Sequence, residues 1–346
     1  MRMKIRLYLL LSLFGMLRAA QAQDLHFSMF NMSPLTLNPA LTGSFEGTAR
    51  IGGIYRDQWA SFLKNQYVTP SFYVDAPIIR GLRKQDWVGV GGMVFSDKAG
   101  TAELTNNGSM LSVAYHAGVG KDGKHRFTFG LQGGSVERRL DTKAQDLKFE
   151  DELSKDVGGG GLGFGNGKDR QLNDKATFFD VNAGVMLRSV LSEKDQSEVG
   201  LSFAHINSPK YALLSGQTDG SRRPMRIALH GRLNHRLSEK LYVEPTFLFQ
   251  TTGGASEAAV QTLAGYTVNP DFTLRIGPGY RFGDAGQILL GLDYKQELRV
   301  GASYDVNLSS LSGVSKLQGG FEVAAYYIIK IYKKPKISPA ILCPQL

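Results

Sequence analysis

From Thr48 to Lys330 the chain alternates apolar and polar side chains in repeated segments of about ten residues, separated by turn chemistry. In DFTLRIGPGYRF, Phe272, Leu274 and Ile276 share one face and Thr273, Arg275 and Gly277 the other. In ELRVGASYD, Leu298, Val300, Ala302 and Tyr304 oppose Glu297, Arg299, Gly301, Ser303 and Asp305. A two-residue period places each set on one side of a sheet, and no helix-period segment of comparable strength appears. Fourteen strands are predicted, at 48–58, 66–75, 86–97, 103–118, 125–137, 175–187, 197–207, 225–236, 240–251, 256–268, 271–282, 286–294, 297–306 and 318–330. An even number suits a bacterial single-chain barrel.

The connections sort by parity. Most even-numbered ones are tight, as at Gly120–Lys124, Ser238-Glu239, Asn269-Pro270 and Gln296, whereas the two longest, 138–174 and 208–224, are both odd-numbered. A membrane barrel has short turns on one side and long loops on the other; a sandwich has no reason to sort loops this way. In hydrocarbon every backbone N–H and C=O needs a partner, which a closed sheet provides. The polar faces carry Glu244, Arg275, Asp293, Arg299 and Glu322, which are intolerable toward lipid and acceptable toward a wet lumen. The fold class expected is an all-β, transmembrane antiparallel barrel. Gly89, Gly91, Gly130, Gly200 and Gly301 fall on the non-apolar face, where they are expected to relieve crowding in a curved sheet.

The chain opens MRMKIRLYLLLSLFGMLRAAQAQ. A basic start, an apolar core from Leu7 to Leu17 and Ala20-Gln21-Ala22 describe a secretory signal peptide over 1–22. No stretch is long and apolar enough for a spanning helix. The formal charge is +9; Arg2, Lys4, Arg6 and Arg18 lie in the leader with no acid, which leaves +5 for the mature chain. The remaining bases are scattered through strands and loops, with one cluster at Lys330 to Lys336, and nucleic acid is not an expected partner of an exported protein. They suit lipopolysaccharide or a barrel lumen better. The one cysteine, Cys343, cannot form an internal disulfide.

Catalytic, cofactor and metal sites are not expected. GGGGLGFGNGKD (158–169) lacks the phosphate-loop spacing, because Leu162 stands where glycine is needed and Asp169 follows Lys168. EDELSKD (150–156) lacks the spacing of a calcium loop. His230 and His235 are five apart and so fall on opposite strand faces.

The mature start, DLHFSMFNMSPLTLNPALTGSFEGTARIGGIYRDQW, has no clean period. It resembles the PorP/SprF family of Bacteroidetes outer-membrane proteins through Asp24, Phe27, Ser28, then Asn38, Pro39, Ala40 and Gly43, then Tyr55, Arg56, Gln58 and Trp59. It departs from the family at Met29, where Gln is usual, and at Ser33, which stands for a first Asn. Cys343-Pro344 is similar to the family's ending. The resemblance implies a fourteen-stranded barrel in the cell outer membrane that works with the type IX secretion system. It implies no catalytic residues. The partners implied are outer-membrane lipid, periplasmic ring or lipoprotein components, and secreted cargo with a C-terminal signal domain, with gliding adhesins among the family's clients.

Pro34 and Pro39 bar residues 23–47 from a helix interior or central strand, while Phe27, Phe30, Leu35 and Leu37 need burial. A periplasmic plug or docking segment in the lower mouth of a barrel at 48–330 is expected, followed by a basic, proline-containing periplasmic tail at 331–346. The motif residues and Cys343-Pro344 are the candidate docking positions. A diffusion porin is the alternative reading; an outer-membrane hydrolase lacks a titratable cluster.

Overall fold

The alternation closes into a cylinder. A computed structural model describes residues 25–59, 67–81, 83, 85–100, 103–120, 123–140, 175–211, 213, 222–310 and 312–331. The leader, Asp24, the stretches at 150–156 and 158–169, and Cys343-Pro344 lie outside them.

Fourteen strands pair antiparallel in chain order: β1 (Ala49–Gln58), β2 (Tyr67–Arg80), β3 (Trp87–Ala99), β4 (Leu104–Val119), β5 (His125–Arg139), β6 (Lys175–Val190), β7 (Asp195–Ala204), β8 (Arg226–Arg236), β9 (Leu241–Thr252), β10 (Ala255–Asn269), β11 (Phe272–Arg281), β12 (Ala285–Tyr294), β13 (Leu298–Asn307) and β14 (Gln318–Ile329). The last returns to the first, with Ala49 opposite Ile329 and Gln58 opposite Gly320, so no edge is left open.

The ends of β2, β6 and β7 differ most from prediction, and β6 runs on to Val190. β2 runs on to Arg80, because an irregularity between Pro77 and Ile79 lets the ladder pass a residue without an N–H. β7 stops at Ala204, because His205 has φ of 58° and leaves the extended region.

Burial is inverted relative to a water-soluble protein. Leu111 is 75% exposed and Ile276 60%, while Glu322 is 1% exposed and Arg56 3%. Water would reverse that order; a hydrocarbon exterior around a polar interior demands it. Phe179, Tyr280 and Tyr304 toward one end of the strands, and Tyr115, Phe127 and Tyr327 toward the other, are exposed outward, as aromatic girdles at two interfaces should be. The end that holds the start of β1 and the finish of β14 has only the connections 81–86, 120–124, 191–194, 237–240, 270–271 and 295–297; 140–174 and 205–225 are at the other end. The long-loop end therefore faces outward.

The chain before β1 lies inside the barrel. It forms a 3-10 turn at Phe30–Met32, the four-residue helix α1 at Pro34–Leu37 and a second 3-10 turn at Pro39–Leu41. It is not confined to the lower mouth. Its contacts run from Arg80 and Trp87, at the end carrying the short turns, to Glu257 and Arg281, at the long-loop end.

Candidate functional site

A segment with such short turns cannot satisfy its own backbone, and most of it is buried from bulk solvent. The inward-facing side chains of the barrel supply the missing partners at three levels.

Near the short-turn end, Arg50 and Asp75 form a bidentate pair at 2.9 and 2.7 Å. Asp75 also accepts from Gly43 N at 2.7 Å, and Trp87 Nε1 donates to Gly43 O at 3.1 Å. Gly43 has φ of +70°, a conformation that favours glycine. His116 Nε2 donates to Thr42 O at 2.8 Å; a carbonyl can only accept, so it fixes the tautomer and leaves Nδ1 to accept from the Thr128 hydroxyl at 3.0 Å.

At mid-depth, Asn38 caps the second 3-10 turn by accepting from Ala40 N at 2.9 Å. Its Nδ2 donates to Val185 O at 3.2 Å and to His230 Nε2 at 3.0 Å. Gln132 donates to Leu35 O and Ser202 to Leu37 O, at 3.1 and 2.9 Å.

Toward the long-loop end, four buried charges gather around Ser28. Its hydroxyl donates to Asp305 at 2.7 Å and accepts from Arg56 at 2.9 Å; its N–H donates to Glu322 at 2.6 Å, and Met29 N donates to the same carboxylate at 2.7 Å. Arg56 pairs with Glu322 and Asp305, and Arg281 with Asp305 at 2.7 Å. Above them His26 accepts from Arg281 through Nε2 at 2.6 Å and donates from Nδ1 to Glu257 at 2.9 Å. Phe27 and Met29 pack beside this cluster on Met32, Ile54, Leu289 and Ala324.

The wall is shaped to admit the segment. Gly89, Ala114, Gly130, Gly184, Ser202 and Ala228 lie directly opposite one another across β3 to β8. A Cβ on Gly89 would overlap Thr42 O, one on Gly130 the Pro39–Ala40 peptide, and one on Gly184 Asn38 Oδ1. Gly91, Gly200 and Gly301 likewise face Leu35, Asn38 and Met29. Relief of crowding within the sheet, the role expected from sequence, holds at Gly91 and Gly200, where an added Cβ would first meet Asp75 and His230 of the wall, and is corrected at the other three. Gly89 and Gly130 are bare because the backbone of the segment lies on them, and Gly301 because Met29 does.

Of the motif residues, Phe27, Ser28, Asn38, Pro39, Ala40, Gly43 and Arg56 are buried in these three levels. Gln58 accepts from Arg56 at 3.2 Å. Trp59, with φ of 66°, closes the strand: its N–H donates to Gly319 O and its ring meets Tyr67 edge-on at 5.0 Å. Tyr55 is exposed on the outer face of β1, and the rest of the described motif is a set of contacts within the chain. Sequence reasoning did not single out His26, Asp75, His116, Arg281 or the row of small residues. A charged residue at an inward strand position was a visible signal, but not which others it would meet.

A family model for the type IX secretion system membrane protein PorP/SprF matches residues 19–327. The chain belongs to the PorP/SprF family. Its members are membrane proteins of type IX secretion, and the closed fourteen-stranded barrel places this one in the outer membrane. Among curated proteins, none matches the chain. Similar solved structures include the Pseudomonas putida toluene transporter TodX, at 11% identity over 85% of this chain and 93% of that one, with a TM-score of 0.46. A Pseudomonas aeruginosa FadL homologue is similar at 12% identity over 84% and 92%, with a TM-score of 0.43. The translocator domain of the Neisseria meningitidis autotransporter NalP is similar at 10% identity over 86% and 94%, with a TM-score of 0.38.

The path of the segment makes a topological prediction for this PorP/SprF protein. Leu25 lies beside Arg226, the first residue of β8 at the long-loop end. In a Cys343→Ser background, Leu25→Cys should be labelled by an impermeant maleimide added to intact cells. Labelling only after the outer membrane is breached would reverse the orientation argued here.

Proposed function

We propose that the chain is a non-enzymatic, sealed barrel of the type IX system that supports export or surface attachment of proteins bearing a C-terminal secretion domain. Gliding adhesins are among the cargo this reading allows, and a periplasmic ring or lipoprotein component is the partner on the inner side. The observation that supports a sealed barrel over a diffusion porin is the anchoring of residues 25–47 along the depth of the lumen, through wall side chains on both halves of the cylinder. A porin needs an unobstructed aqueous path; here that path holds a folded segment.

The docking role of the motif takes a more specific form. Because Phe27, Ser28, Asn38, Pro39, Ala40, Gly43 and Arg56 face inward, a partner would reach them only if the segment left the lumen, or would read the mouths that the segment shapes. Deletion of 24–43 separates sealing from transport. In planar bilayers the intact protein should show no steady conductance and the deletion should show it, with the barrel still folded. In cells the deletion should block delivery of cargo to the surface. Cargo delivered normally by the deletion variant would remove the transport role of the segment; steady conductance by the intact protein would favour the porin.

A further inference from the structure

The barrel's outer surface is not uniform. On the lipid-facing side of β2 to β6 there is a groove of 630 Å³, floored by Gly92, Ser109 and Gly133 and walled by Phe72, Val94 and Phe179. Its floor is shallow because Gly92 on β3 and Gly133 on β5, the residues opposite Leu111 on either side, carry no side chain, and Ser109, the previous outward position on β4, carries a small one. Among the described residues nothing covers it: Leu111, within it, is the 75%-exposed leucine already noted.

Toward the long-loop end of the same strands lies a cross-strand row of bases. Lys98 is opposite Thr105, Thr105 opposite Arg139, and Arg139 opposite Lys175. Neighbouring strands are about 4.8 Å apart, so three cations stand along one short arc. All four residues fall on the outward parity of their strands, shared with Val94, Leu111 and Phe179. Lys98 pairs with Glu103 at 2.7 Å and Lys175 with Glu137 at 3.6 Å. These pairs are exposed and cheap to exchange. Arg139 is exposed, with no ionic partner among the described residues. Four residues separate Phe179 from Lys175, about 13 Å along a strand, which puts the bases on the water side of the aromatic girdle.

We propose that this face binds one outer-leaflet glycolipid of the lipid A class, its phosphate on the Lys98–Arg139–Lys175 row and an acyl chain in the groove. Charge selects the lipid: a chain-filling groove alone would take any lipid, while a row of bases at the outer interface takes an anionic headgroup. Guanidinium and ammonium donors match phosphate oxygens, Arg139 being suited to bidentate contact.

The test uses the full-length protein in detergent micelles, with native mass spectrometry reading retained lipid. Phosphorylated lipid A should remain bound to the wild type, and dephosphorylated lipid A should be retained at least tenfold less. Arg139→Glu with Lys175→Glu should lower retention of the phosphorylated form at least tenfold. Gly92→Leu, whose Cβ has ordinary contacts at 3.4 and 3.6 Å, should do the same by filling the groove, without touching the bases. Unchanged heat-modifiable migration confirms that each variant is folded. Equal retention of the two lipids by the wild type, or unchanged retention by both variants, would overturn the site; neither outcome bears on the sealing of the lumen.

Discussion

Arg56→Met is expected to destabilise the folded barrel by about 3–5 kcal/mol, the usual cost of removing one partner from a buried ion pair. Arg56 is 3% exposed and bridges Glu322, Asp305 and the Ser28 hydroxyl. Without it, Glu322 retains the Ser28 and Met29 amides but no cation within ion-pair distance among the described residues. Asp305 retains Arg281. The double variant Arg56→Met with Glu322→Gln should therefore recover part of the loss, because the neutral amide no longer leaves a buried charge unpaired. Denaturant unfolding in micelles, followed by tryptophan fluorescence, gives both numbers. A loss below about 1 kcal/mol, the range of an exposed pair, would mean that the cluster is hydrated.

Gly184→Val is expected to unseat the N-terminal segment while leaving the barrel closed. A Cβ there would overlap Asn38 Oδ1, the atom that caps the second 3-10 turn. The wall cannot give way without breaking the ladders to Gly130 and Ser202 on either side. The segment has no ladder and moves instead. Overpacking of this kind costs about 1–3 kcal/mol, and the segment's release exposes the buried groups it had satisfied. In planar bilayers the variant should show steady conductance where the wild type shows none. Gly286→Val is the control, since its Cβ would meet only Leu308 at 3.4 Å, and it should stay silent. A silent Gly184→Val barrel would show that the row of small residues does not decide the fit of the segment.

The two variants probe opposite halves of one arrangement. Around Ser28 the segment is held by charge, on β1, β11, β13 and β14. Around Asn38 it is held by shape, on β5, β6 and β7, with His230 of β8 adding a hydrogen bond. Charge fixes position where the wall is polar; close approach fixes it where the wall is bare. A segment rich in proline and short turns needs both, because it contributes almost no regular hydrogen bonding of its own.

The strands, their number, and the division into a lipid face and a lumen face were determined by the sequence alone. Each follows from a two-residue period that any extended chain must obey. Most predicted boundaries lie within a few residues of those observed, and the departures at Arg80 and Ala204 turn on a bulge and one left-handed residue, which leave no periodic trace; β6 extends to Val190. The motif residues were also legible, as a stretch whose apolar content and prolines did not fit a strand. Their placement was not. That Arg56 of the first strand meets Glu322 of the last requires closure of the cylinder. That Gly89, Gly130 and Gly184 form one floor requires the register of β3 to β6. Register and closure are properties of pairing between distant segments, and a local pattern does not encode them; only the assembled barrel brings those residues to the same depth.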